Sequence, residues 1–172
     1  MSTLYQFIFI FLSALIYKLQ AKKCPTYWDL ANQTTMTDFD LSKFIGNHYW
    51  YEHYSHDVPI ATTGCECVRY YQTAMNNSKT SNYNDEYNCR KKSVNNTVIT
   101  AFNSTLVPNF NVSEGGKMSE AVFGSDESEY WVLDQSNDYQ YVLVYACLQT
   151  GLDTDDFVYL FSRDYTTFPQ EL

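Results

Sequence analysis

Eight short runs rich in Tyr, Val, Phe and Thr, parted by clusters of Asn, Ser, Asp and Gly, leave this chain few folds to adopt. The runs fall at about 47–55, 65–74, 84–92, 97–103, 117–123, 129–134, 139–148 and 156–163. Turn formers stand between them: Asn76-Asn77-Ser78, Asn95-Asn96, Gly115-Gly116, Gly124-Ser125-Asp126, Ser136-Asn137-Asp138 and Gly151. β-Branched and aromatic side chains fit a pleated, half-buried surface. Beyond the amino-terminal apolar run, no long stretch carries a helical period. The expected fold class is all-β, an eight-stranded up-and-down antiparallel barrel. Closure of such a barrel removes the exposed edges an open sheet would leave. A β-sandwich is the structural alternative, although the Cys and Trp spacing does not give the immunoglobulin core pattern.

Residues 4–17, LYQFIFIFLSALIY, form an uncharged apolar run too short to span a bilayer comfortably. Leu19-Gln20-Ala21 supplies a small residue at a cleavage point, and Lys22-Lys23 follow. Residues 1–21 therefore read as a secretory signal, although their start carries no Lys or Arg. Residues 22–172 then form one domain, secreted and extracellular, with no integral membrane association once the signal is cut. Acceptors for N-glycosylation at Asn32, Asn76, Asn95, Asn103 and Asn111 agree with secretion. A chain rich in Asn, Ser and Thr produces some of these by chance, so two or three are expected to be occupied. The formal net charge of −9 disfavours nucleic acid and anionic membrane as partners.

The five cysteines are Cys24, Cys65, Cys67, Cys89 and Cys147. In an oxidising compartment they pair and leave one over. Cys65-Glu66-Cys67 is too tight for a zinc C-x-x-C site, so no metal is expected. His48, His53 and His56 read as ordinary polar strand positions. No catalytic constellation and no cofactor motif is present, and the expectation is a protein that is not an enzyme.

The stretch FIGNHYWYEHY, residues 44–54, brings a family into view. With Lys23-Cys24-Pro25, Phe39–Gly46, Tyr141–Cys147 and Asp156–Asp164, the chain resembles the lipocalin family. Within that family it looks most like the branch of apolipoprotein D and plasma retinol-binding protein. Residues 60–128 match only in strand layout. The family carries Gly-x-Trp-Tyr-Glu in its first strand. Here Gly46 is followed by Asn47-His48-Tyr49-Trp50-Tyr51-Glu52. A strand alternates with period two, so His48 and Trp50 share a face, and Trp50 is the better match. The resemblance implies that Gly46, Trp50 and Arg163 close one end of the barrel. Arg163 would lie over the indole by cation–π attraction.

The resemblance further implies a Cys24–Cys147 bridge from the amino-terminal arm to the barrel. Cys89 can bridge to Cys65 or Cys67 within the second hairpin, and one thiol stays unexplained. Set against the family, residues 22–172 are expected to do without the usual carboxy-terminal helix. By alignment with relatives and by alternation, the ligand-facing set is Val68, Tyr70, Gln72, Tyr130, Val132, Val142, Val144, Phe157, Tyr159 and Phe161. The function implied is binding and transport of a small hydrophobic ligand in the barrel: a lipid, fatty acid, sterol, retinoid or pigment. Large Tyr and Phe side chains could also fill the interior. Two alternatives are weighed against transport. One is a protein-binding or inhibitory lipocalin, with a receptor or a disulfide-linked partner. The other is a thiol-dependent isomerase-type enzyme using a cysteine of the second expected strand, 65–74, disfavoured because Cys65 and Cys67 fall on the outward parity.

Overall fold

All eight runs fold as strands. The computed structural model describes residues 24–25, 30, 39–46, 48–57, 62–75, 82–95, 97–109, 115–122, 128–150 and 153–166. The strands are β1 (Trp50–His56), β2 (Cys65–Ala74), β3 (Tyr83–Lys91), β4 (Thr97–Pro108), β5 (Lys117–Val122), β6 (Ser128–Gln135), β7 (Tyr141–Thr150) and β8 (Asp153–Ser162). Each pairs antiparallel with its sequence neighbours, and β8 pairs back onto β1 to close the barrel. No helix of the described residues is long and apolar enough to cross a membrane. The signal segment 1–21, the acceptors Asn32, Asn76 and Asn111, and the chain end after 166 lie outside the described residues. Asn95 and Asn103 are exposed.

Two strands run further than local preference indicates. β4 continues through Asn103-Ser104-Thr105 to Pro108, because its ladder to β3 reaches Leu106 and its ladder to β5 reaches Pro108. β8 begins at Asp153, in an acidic stretch with poor strand propensity. Asp153, Thr154, Asp155 and Asp156 pair in register with Thr150, Gln149, Leu148 and Cys147 of β7. In both places the partner strand overrides propensity, which is the usual outcome in sheets.

The meander puts the β2–β3, β4–β5 and β6–β7 connections at one end of the barrel. That end is closed by a short helix, α1 (Leu41–Phe44). Asp40 caps it by accepting from the Ser42 backbone N–H at 3.0 Å. The helix delivers Phe44, fully buried, onto Trp50 with ring centroids 5.6 Å apart. The Tyr139 hydroxyl accepts from the Asp40 backbone N–H, tying α1 to the β6–β7 turn.

Alternation sorts the side chains into two clusters. The inner one gathers Trp50, Tyr70, Tyr87, Phe102, Leu106, Met118, Tyr130, Val132, Val142, Val144, Tyr159 and Phe161. The outer one joins Trp131, Leu133, Tyr145 and Cys147 on the far face of β6 and β7. Cys24 packs against this outer cluster through its disulfide to Cys147. In β6 alternation holds from Tyr130 to Leu133, with Val132 in the inner cluster and Leu133 in the outer, and a bulge between Val132 and Asp134 then shifts the register against β7.

The second disulfide joins Cys65 to Cys89 across β2 and β3 and leaves Cys67 free and exposed. Cys67 sits in a bulge between Glu66 and Arg69 with φ of 53°. Cys67→Ser is therefore expected to change unfolding free energy by less than about 1 kcal/mol, as surface changes do. The same change should abolish labelling of the folded protein by a maleimide. A variant that still takes up one equivalent would mean that Cys89 pairs elsewhere.

Candidate functional site

The closed end rests on Trp50 and Arg163. Trp50 is fully buried, and its indole N–H donates to the Phe44 carbonyl at 3.0 Å. The Arg163 guanidinium lies over the indole, 3.6 Å from the ring centroid. It donates to the carbonyls of Lys43 at 2.7 Å, Phe44 at 2.8 Å and His48 at 3.1 Å. One side chain thus satisfies the orphan carbonyls at the end of α1 and the loop leading into β1. Burial brings the Arg163 pKa down to about 10, still well above neutrality. Trp50, not His48, occupies this place; His48 is exposed and contributes its carbonyl.

Gly46 stands beside the lid. A Cβ there would lie 3.5 Å from His48 Cδ2 and 3.8 Å from Arg163 Nη2, which are ordinary contacts. Packing therefore admits a methyl group. Gly46→Ala is expected to shift unfolding free energy by less than about 1 kcal/mol, read by urea titration.

All ten residues assigned to the ligand-facing set lie on the inner face. Tyr70, Tyr130, Val132, Val142, Val144, Tyr159 and Phe161 are in the inner cluster, with Val68 and Phe157 packed against it. Gln72 is buried beside them. The interior is largely filled by rings. Tyr87 stacks on Phe102 at 3.8 Å, Tyr70 meets Tyr87 edge-on at 4.1 Å, and Tyr70 meets Phe161 at 4.5 Å. Tyr159 stacks against Phe161 at 5.4 Å and Phe157 at 6.4 Å.

Among these rings lies a polar layer that the sequence reading passed over. Asp85, Ser104 and Glu120 point inward from β3, β4 and β5, and all are buried. Ser104 donates to Glu120 Oε1 at 2.5 Å and the Tyr87 hydroxyl donates to the same oxygen at 3.2 Å. Burial raises the Glu120 carboxyl pKa despite those two bonds. Burial, and then the neighbouring Glu120, push the Asp85 carboxyl well above its ordinary range. Burial likewise pushes the phenols of Tyr70, Tyr87 and Tyr130 well up. A third carboxyl, Glu52, accepts from Tyr70 at 2.5 Å and from Ser55 at 2.7 Å. Alternation would have found the layer. Asp85 sits between Tyr83 and Tyr87, and Glu120 between Met118 and Val122, on strands whose inner face is otherwise apolar.

The barrel wall is thin between β1 and β2. They pair only at Trp50 with Tyr70 and Tyr51 with Arg69, whereas β1 and β8 stay in register out to His56 and Val158. Where β1 and β2 part, a half-open surface pocket of about 570 Å³ is lined by Tyr51, Glu52, Cys67, Val68, Arg69 and Arg90, with the exposed Val98 and Tyr165 at its rim. Val68 and Glu52 also border the interior, since Val68 packs on the inner cluster and Glu52 holds Tyr70. Among the described residues no group of three or more His, Cys, Asp or Glu side chains is arranged to hold a metal ion.

The described residues form a closed eight-stranded antiparallel barrel with a Trp–Arg floor and little helix, which is the fold of a lipocalin-type calyx. No family model and no curated protein sequence matches the chain. Solved structures do. Lobster apocrustacyanin A1 superposes with a TM-score of 0.57 at 18% identity, over 84% of this chain and 73% of that one. The cockroach major allergen Per a 4 gives 0.55 at 19% identity, over 87% and 79%. The siderocalin Ex-FABP, described as functioning through dual ligand specificities, gives 0.53 at 12% identity, over 74% and 78%. At these identities the likeness is one of fold.

Proposed function

We propose that this chain is a secreted lipocalin, without enzymatic activity, that binds and carries a small hydrophobic ligand. The observation that carries this reading is the calyx itself. Ten inward side chains from four strands converge on one interior sealed by Trp50 and Arg163, and a half-open pocket of about 570 Å³ lies against the wall where β1 and β2 part, sharing Val68 and Glu52 with the interior. That volume falls within the range of small-molecule sites. A ligand would gain by burying apolar surface against Tyr, Phe and Val, at about 25 cal/mol per Å² before the costs of binding. Because the rings already pack closely, uptake requires some of the inner side chains to turn aside. The exposed acceptors Asn95 and Asn103 and the two disulfides support an extracellular location.

Titration with a fatty acid, a sterol, a retinoid and a carotenoid, followed by tryptophan fluorescence, tests the reading. Saturable quenching at one equivalent is expected for at least one of them. No change with any of the four would sink it. One observation favours a second reading, docking of a protein on the outer surface. Tyr70, Tyr130, Val142, Val144 and Phe161 expose 1% or less of their surface, packed on one another rather than lining an open space. A barrel that fails all four titrations yet captures a secreted protein partner would establish that alternative.

A further inference from the structure

We propose that the interior of this barrel receives the charged amino group of a small organic amine, held by Asp85, Glu120 and Gln72 with Tyr130 beside them. The proposal rests on the carrier reading above and sharpens its ligand class. The register sets Gln72 of β2 opposite Asp85 of β3, and Asp85 opposite Ser104 of β4. Ser104 in turn binds Glu120, so the group spans four adjacent strands. Asp85 is 0% exposed, Gln72 2%, Tyr130 0% and Glu120 5%.

The hydrogen-bond account of this layer is left open. Gln72 lies close enough to Asp85 to lower its pKa somewhat, but no hydrogen bond of good geometry forms: both Asp85 carboxyl oxygens, both Gln72 amide atoms and the Tyr130 hydroxyl are buried without one. Each such group is costly, and natural interiors satisfy nearly all of them with protein, water or ligand. Their chemistry is lopsided. Asp85 Oδ1 and Oδ2 and Gln72 Oε1 accept, and the Tyr130 oxygen can accept. With the carboxyls ionised, only Gln72 Nε2 and the Tyr130 O–H can donate; a carboxyl that keeps its proton adds one O–H. No Lys or Arg stands among the buried described side chains to oppose the two carboxyls. A guest that brings donors and positive charge completes the layer and lets the carboxyls release the protons that burial makes them hold.

An ammonium group supplies up to three N–H donors and one charge, which converts the most expensive part of the interior into a paired site. A hydroxyl brings one donor and no charge. A carboxylate adds a like charge and is excluded. The apolar remainder of the amine would meet Tyr70, Tyr87, Phe102 and Tyr159, whose faces also favour a cation.

Isothermal titration calorimetry on the full secreted protein at neutral pH tests this. The probes are two matched sets: 2-phenylethylamine, 2-phenylethanol and 3-phenylpropionate; and dodecylamine, dodecanol and dodecanoate. In at least one set the amine should bind tenfold or more tighter than its alcohol, with the carboxylate weakest. Asp85→Asn and Glu120→Gln should each weaken the amine at least tenfold more than they weaken the alcohol. Near-UV circular dichroism shows which variant is folded, and either one suffices. An amine no tighter than its alcohol in both sets overturns the proposal, as does a folded variant that keeps the amine preference. If an alcohol or carboxylate binds and the amine does not, the carrier reading survives and the amine site falls. If no probe and no lipid binds, both fall.

Discussion

Replacing Trp50 by alanine should lower the unfolding free energy by about 3–5 kcal/mol, the range for deleting a fully buried aromatic. The loss has three physical parts. The indole is fully buried, so its removal leaves a cavity against Phe44. The Phe44 carbonyl loses the indole N–H. Arg163 loses the ring it covers at 3.6 Å. Arg163→Ala should cost less in packing but leaves three backbone carbonyls, those of Lys43, Phe44 and His48, without their donor. Arg163→Lys should recover only part of this, because an ammonium cannot reach three acceptors in the fixed fork of a guanidinium. A double-mutant cycle in urea should give a Trp50–Arg163 coupling of about 1–2 kcal/mol for a partly desolvated cation–π pair. A coupling near zero would mean that the lid is only a neighbour of the tryptophan.

Asp85→Asn should raise stability at neutral pH by about 1–3 kcal/mol, because folding the carboxyl means burying a charge or taking up a proton, and the neutral amide, though still a buried polar group, requires neither. The sign follows from proton linkage. Asp85 and Glu120 have ordinary values of 3.8 and 4.5, and burial raises both in the folded chain. Above those ordinary values the native state holds protons that the unfolded chain has released. Stability is then greatest below them and declines as pH rises toward the raised folded values. The protein should thus be more stable at about pH 5 than at about pH 8, against the trend of most acid-sensitive domains. Asp40 and Asp138 act in the opposite sense, since hydrogen bonds from Ser42 and Ser136 lower their pKa values. Both sit in solvated turns, so the buried pair should dominate. Chemical unfolding across this range should show the slope in the parent and a smaller one in Asp85→Asn and in Glu120→Gln. A parent whose stability rises steadily with pH would contradict the layer's burial. The gain in stability from removing Asp85 would also explain its presence best as a binding group, since it is retained at the cost of stability.

Much of this fold is written in period-two alternation. Tyr141–Cys147 and Phe157–Phe161 mark their inner residues plainly, because apolar side chains alternate with residues that tolerate water. Turn formers fixed where strands end. The acidic start of β8 and the polar middle of β4 were not legible, because their pairing depends on strands remote in sequence. The bulges at Cys67 and Val132 also escaped, since a single added residue leaves no local signature. The choice of Cys65 over Cys67 as partner of Cys89 depends on the first of these bulges. The barrel-closing pair was readable from Trp50-Tyr51-Glu52 and Arg163. The polar layer was readable but overlooked, because Asp85 and Glu120 look like surface residues until their apolar neighbours at i−2 and i+2 are counted.

The most direct test of the carrier account is native mass spectrometry of the secreted protein, before and after solvent extraction. The account predicts a mass excess equal to one small molecule, lost on extraction and recovered in the organic phase. A protein isolated empty from its source, whose mass does not change on extraction and which takes up no small molecule afterwards, would contradict it.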